Sequence, residues 1–204
     1  MMHPTALIED DVVIGDRTAL WSHVHVRAGA RIGADCIIGE KTYLAGGVVV
    51  GDRVKINAMA YLCEGVVLGD GVMVSAGVIF TNDRYPRAAT NDLSALRPSE
   101  ATDDTLATHV HRGATIGARA VVGPGIEIGE FAMIGMGSVV TRSVPAHALV
   151  VGNPARVQAW VCRCGTPLYR HAIGAPPAPG TTVCPRCGWS AVFDGSNLTV
   201  TAPA

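Results

Sequence analysis

A chain of 204 residues carries 16 Lys plus Arg against 17 Asp plus Glu, a net charge of −1, and this balance excludes the basic excess of a nucleic-acid-binding surface. Hydrophobic residues reach 49% while aromatics are only 5%, which excludes intrinsic disorder. No apolar run nears the roughly 18 residues of a membrane span. The opening Met1-Met2-His3-Pro4-Thr5 shows no basic segment followed by an apolar stretch. The expectation is therefore a soluble, cytoplasmic protein that engages neither nucleic acid nor membrane.

From His3 onward the sequence repeats every six residues. Ile8, Ile14, Leu20, Val26, Ile32, Ile38, Leu44, Val50, Ile56, Leu62, Leu68, Val74 and Phe80 close successive hexads, and each is large and apolar. The residue two before is never larger than Val, as at Ala6, Thr18, Cys36 and Ala60, and the residue after is often Gly, as at Gly15, Gly33, Gly39, Gly51 and Gly69. A period of six fits no helix, and the Val and Gly content argues against one. It fits short β segments that each place one large and one small side chain inward and end in a turn where Gly permits positive φ. Three segments then make one coil of a triangular prism, and coils stack as parallel strands about 4.8 Å apart.

The register breaks after Phe80 and resumes at Val110, then runs through Ile116, Val122, Ile128 and Ile134 to Val140, with Ile126 the one bulky residue at the small position. Nineteen hexads predict about six coils and a prism roughly 30 Å long. The excursion over 81–109 is the main interruption of a regular scaffold, which is where function concentrates.

Beyond the hexads, four of the six cysteines fall within a short stretch: Cys162-Arg163-Cys164-Gly165, then Cys184-Pro185-Arg186-Cys187-Gly188. The segment between them includes a Pro-rich run at 175–180. Two Cys pairs about 20 residues apart read as a four-Cys structural zinc site, Cys162, Cys164, Cys184 and Cys187 holding Zn2+, although the first pair is one residue short of C-x2-C. A short hairpin is expected after Ser190. Cys36 and Cys63 read as packing residues.

The hexads resemble those of the hexapeptide-repeat acyltransferases. Phe80-Thr81-Asn82-Asp83-Arg84-Tyr85-Pro86-Arg87, Gly135-Met136-Gly137-Ser138-Val139-Val140-Thr141 and Val150-Val151-Gly152-Asn153-Pro154-Ala155-Arg156 are similar to motifs of the nucleotide-sugar N-acetyltransferase subgroup. The resemblance implies an all-β, left-handed parallel β-helix. It would occupy 1–160, with the excursion at 81–109 and a closing segment at 141–160, ahead of the zinc-ribbon-like appendage and tail at 161–204. It also implies a homotrimer that uses acetyl-CoA as co-substrate to acetylate the amine of a nucleotide-linked amino deoxy sugar.

By the same resemblance Asn82 contacts the acceptor amine, Tyr85 and Arg87 bind substrate, and Arg142 and Arg156 meet the CoA phosphates. His109, at the return of the excursion, is the candidate base, though relatives carry Leu there and Lys at His111. An amine attacks without strong base assistance, so direct attack in a ternary complex is expected. Two other readings remain: a non-catalytic β-helix scaffold, and a hexapeptide O-acyltransferase that depends on His109. A three-His zinc site like that of β-helical carbonic anhydrases does not fit, because His23 and His25 lie three coils, roughly 15 Å, from His109 and His111.

Overall fold

The computed structural model describes residues 1–171 and 177–203. Residues 175 and 176 of the Pro-rich run, and the last residue of the tail, lie outside them. The described residues are all-β. Nineteen strands of two or three residues, β1 (Leu7–Ile8) to β19 (Val139–Val140), wind into a parallel prism with three sheets. Sheet I runs from β1 to β19, sheet II from β2 (Val13–Ile14) to β17 (Glu127–Ile128), and sheet III from β3 (Ala19–Leu20) to β18 (Met133–Ile134). Within the regular coils a strand residue pairs with the one 18 further on, as Leu7 does with His25 and Ala19 with Ile37.

The hexad dictates the core. Residues two apart on a strand point the same way, so the small and the large residue of every hexad both enter the prism. Leu20, Ile38, Leu44, Ile56, Ile116 and Ile128 are fully buried, each stabilising by about 1.5–3 kcal/mol relative to exposure. Ile8 stays 36% exposed because no coil lies below it. Thr18, Cys36 and Thr42, at the small position, each donate to a carbonyl of the next coil. Thr18 Oγ1 bonds Gly33 O at 2.7 Å, Cys36 Sγ bonds Gly51 O at 3.1 Å, and Thr42 Oγ1 bonds Asn57 O at 3.1 Å. Burial of these groups therefore leaves no donor unmet.

The turn glycines act differently from the expectation. Gly15, Gly33, Gly39, Gly51 and Gly69 do not adopt positive φ. They are required by the approach of the next coil: a Cβ on Gly39 would meet Ala58 N at 2.6 Å. The left-handed turn residue comes two positions later, and side chains as large as Met59 (φ 60°) and Phe131 (φ 54°) occupy it.

Partners lie 18 residues apart before the excursion and 42 apart across it, as Phe80 pairs with Val122 and Val66 with Thr108. It is thus a 24-residue insertion, and the chain rejoins sheet II at β14 (Thr108–Val110) in unchanged register. Beyond β19, β20 (Ala148–Gly152) pairs parallel to β18 and antiparallel to β21 (Ala155–Val161), which pairs with β22 (Pro167–Arg170). Strand β21 runs through position 160, where its pairing with β22 shifts register between Trp160 and Val161. A three-stranded antiparallel sheet follows, β23 (Gly180–Val183), β24 (Ser190–Phe193) and β25 (Leu198–Thr201), which contains the hairpin expected after Ser190. Here the Phe193 ring centroid lies 5.3 Å from that of Trp160 and 5.1 Å from that of Tyr169. These large rings pack outside the narrow prism.

Candidate functional site

The excursion folds as an antiparallel arm over the edge between sheets I and II. Leu106 N donates to Asn82 O at 2.8 Å, Arg84 N to Asp104 O at 3.0 Å, and Arg97 N to Ala88 O at 3.0 Å. Between arm and prism lies a cavity of about 570 Å³. Its floor is the outer face of sheet I, where Tyr43 and Tyr61 stack with centroids 5.2 Å apart and planes 5° from parallel. Its walls include Arg27, Glu64, Asn82, Asp83, Tyr85, Arg87 and Arg97.

Asn82 is held at both ends. Its backbone carbonyl accepts from Leu106, and its Nδ2 donates to Glu64 O at 3.2 Å. Among the described residues nothing donates to its Oδ1, so that oxygen can accept from an incoming amine. Tyr85 is 65% exposed at the mouth. Arg87 is exposed, and among the described residues its only side-chain bond runs from Nη1 to the neighbouring Pro86 O at 2.9 Å. The guanidinium can therefore turn toward an anion.

Arg27 is better fixed. It pairs with Glu9 at 2.7 Å and donates from Nη1 to Tyr43 Oη at 2.9 Å. Glu9 accepts from Arg27, His25 and the Ala28 amide, which together hold its carboxyl down at about 2. Partial burial pushes the Tyr61 phenol up, so that ring of the floor stays uncharged.

The sequence-predicted residues divide between places. Asn82, Tyr85 and Arg87 meet at the cavity. Arg142 and Arg156 meet at a second, smaller cleft of about 140 Å³ at the far end of the prism, with Val144 and Pro145 between them. Arg156 Nη1 donates there to Ala155 O at 2.8 Å. Val140 follows Phe80 by two coils in sheet I, so Arg142 lies on the same prism edge as Asn82, about 10 Å along it. His109 pairs in register with Val67 and Glu127 on sheet II and is not part of the cavity lining. His25 stands on sheet I and His109 on sheet II. The four cysteines form a third cluster in the appendage, with ligand atoms within 4.8 Å of one another.

Arg27, Tyr43, Tyr61 and Arg97 were missed by the sequence reading. His25, Tyr43 and Tyr61 recur at intervals of 18, one coil, and each directly precedes an inward residue. That spacing is the signal that stacks them on one outer face.

Among known proteins, the chain is 54% identical over 61 residues to dTDP-3-amino-3,6-dideoxy-alpha-D-galactopyranose 3-N-acetyltransferase of Aneurinibacillus thermoaerophilus. That stretch is 30% of this chain and 32% of the relative, so the match spans about a third of the relative's length. In fold it is similar to the acetyltransferase domain of PglB from Neisseria gonorrhoeae (TM-score 0.50, 19% identity, 77% of this chain and 56% of that one). It is likewise similar to a point mutant of AntD, an N-acyltransferase from Bacillus cereus, in complex with dTDP and coenzyme A (TM-score 0.50, 18% identity, 80% and 81%). The description "Bacterial transferase hexapeptide (six repeats)" matches residues 11–46, 47–82 and 107–142, more than half of the chain, and leaves out the arm. With its hexads, three sheets and inward residues in that register, the chain belongs to the bacterial transferase hexapeptide family.

Proposed function

We propose that this protein is an acetyl-CoA-dependent N-acetyltransferase that acylates the amine of a nucleotide-linked amino deoxy sugar. The observation that carries the reading is Asn82, with a free Oδ1 in a cavity floored by stacked tyrosines and walled by Arg27, Arg87 and Arg97. Guanidinium groups suit a diphosphate, and a stacked aromatic floor suits a base or sugar face. The likeness to a dTDP-3-amino-3,6-dideoxygalactose N-acetyltransferase supports the same substrate class.

Coenzyme A would run along the prism edge, its phosphates toward Arg142 and Arg156 and its thioester toward Asn82. The amine, oriented by Asn82, attacks the thioester carbonyl; a C–N bond forms and the C–S bond breaks. The ammonium proton passes to the departing thiolate, so the step balances without a protein base. Pre-orientation of amine and thioester supplies the acceleration. Three copies of the prism would form the working assembly.

The test is release of free thiol from acetyl-CoA in the presence of UDP- and dTDP-linked 3-amino and 4-amino sugars. One sugar is expected to release thiol, and Asn82→Ala is expected to lower kcat about 100-fold, while His109→Gln leaves turnover near wild type. Loss of turnover in His109→Gln with a mild Asn82→Ala effect would shift the reading to O-acylation. No thiol release and no CoA binding would leave the scaffold reading.

A further inference from the structure

We propose that Cys162, Cys164, Cys184 and Cys187 hold one zinc ion, and that this ion clamps the closing strand β21 onto the end of the prism. The thiols come from two similar turns. In the first, Gly165 N donates to Cys162 O at 2.8 Å and Cys162 N to Thr166 O at 2.9 Å. In the second, Gly188 N donates to Cys184 O at 2.9 Å and Cys184 N to Trp189 O at 2.8 Å. Gly165 (φ 83°) and Gly188 (φ 74°) close both turns in the left-handed region, so the shortened C-x-C pair builds the same kind of knuckle as the C-x2-C pair.

Cys162 and Cys187 stand 3.5 Å apart at sulfur, and Cys164 and Cys184 3.6 Å. Disulfides require about 2.05 Å, and all four cysteines are free. Tetrahedral zinc with Zn–S of 2.3 Å sets sulfurs about 3.8 Å apart, close to what is found. Four soft donors and no water position make the site structural.

The clamp runs through Arg163, between the two cysteines of the first knuckle. Its guanidinium lies 4.7 Å from the Phe131 ring, which belongs to a prism turn, and 4.8 Å from the Trp189 ring beside the second knuckle. Phe131 in turn stacks on His147 with centroids 5.4 Å apart. His147 bonds both ways with Val161, whose carbonyl accepts from His147 Nδ1 at 2.9 Å and whose amide donates to the His147 carbonyl at 2.7 Å. Val161 ends β21, and Arg156 lies near its start. A metal that orders both knuckles thus fixes one end of the strand that carries Arg156.

The experiment measures zinc by elemental analysis on the purified full chain, together with amide exchange in β21. About one zinc per chain is expected. Cys164→Ser and Cys187→Ser are expected to lose it, and a chelator is expected to remove it from the wild-type chain and speed exchange in β21. Arg163→Ala should keep the zinc yet raise β21 exchange roughly 2- to 30-fold, the worth of a cation–π pair. Wild-type protein grown with zinc but free of it would overturn the site, as would zinc retained in both Cys variants. Zinc loss or Arg163→Ala with unchanged β21 exchange would overturn the clamp. Neither readout involves the acetylation reaction, so the metal site stands or falls apart from the proposed function.

Discussion

Two turn positions in each hexad carry opposite demands. The residue after the large inward side chain must lack a Cβ where the next coil presses on it, as at Gly39 against Ala58 N and at Gly117, where a Cβ would stand 2.5 Å from Met136 N. The residue two further on must tolerate positive φ but projects into solvent, where Met59 is 56% exposed. A left-handed conformation costs a residue with a Cβ about 1–2 kcal/mol, part of which glycine returns through its freer unfolded chain. Gly39→Ala is therefore expected to lower the melting temperature by several degrees, and Met59→Gly to raise it slightly or leave it unchanged. A shift of roughly 2–4 °C per kcal/mol applies at this size. Paired thermal melts check both, and a harmless Gly39→Ala would show that coils can part at that turn.

At the scale of elements the arm and the prism are separable, because the 24-residue insertion leaves the register untouched. Deleting residues 83–106 joins Asn82 to Ala107, which occupy the positions that Glu64 and Gly65 hold one coil below. Since Gly65 has φ +84°, the deletion should carry Ala107→Gly. The shortened chain is expected to melt within a few degrees of wild type and to lose amino-sugar turnover, because Tyr85, Arg87 and Arg97 leave with the arm. Unfolding of the shortened chain would mean that the arm is part of the prism's stability, and retained turnover would move the sugar site elsewhere.

What the sequence made legible follows from how local each constraint is. Inward residues could be read because hexad period and strand alternation act within six residues. The knuckles could be read because short Cys spacings allow few geometries. Arg27, Tyr43 and Tyr61 join the cavity only once a coil length of 18 aligns them, and the arm's antiparallel pairing rests on residues such as Ala88 and Arg97 that carry no turn motif of their own. The glycines were misread because steric pressure from residue 58 on residue 39 is invisible without the coil. The hexad pattern is also indifferent to the hand of winding.

The three faces of the whole prism differ in charge. Sheet II presents Arg31 and Glu127 outward, and sheet III presents Lys55. Sheet I presents Leu7, His25, Tyr43, Tyr61, Ile79, Val121 and Val139 in one register, with no acidic or basic side chain other than His25. Leu7, Tyr61 and Ile79 are 56%, 45% and 44% exposed. A contiguous apolar strip on a free surface marks an association face. Packing such a strip against a different face of the next copy closes a ring when the rotation is a third of a turn. Light scattering on the eluted protein is expected to give about three times the 21.1 kDa chain mass. Charging the strip away from the cavity, with Ile79→Lys and Val139→Lys together, is expected to give the single-chain mass while the far-ultraviolet β signature persists. Because Tyr43 and Tyr61 of this same strip floor the cavity, the same double variant should also lose turnover. A wild-type chain that elutes as a monomer at micromolar concentration, yet turns over, would show instead that one prism with its own arm is the complete enzyme.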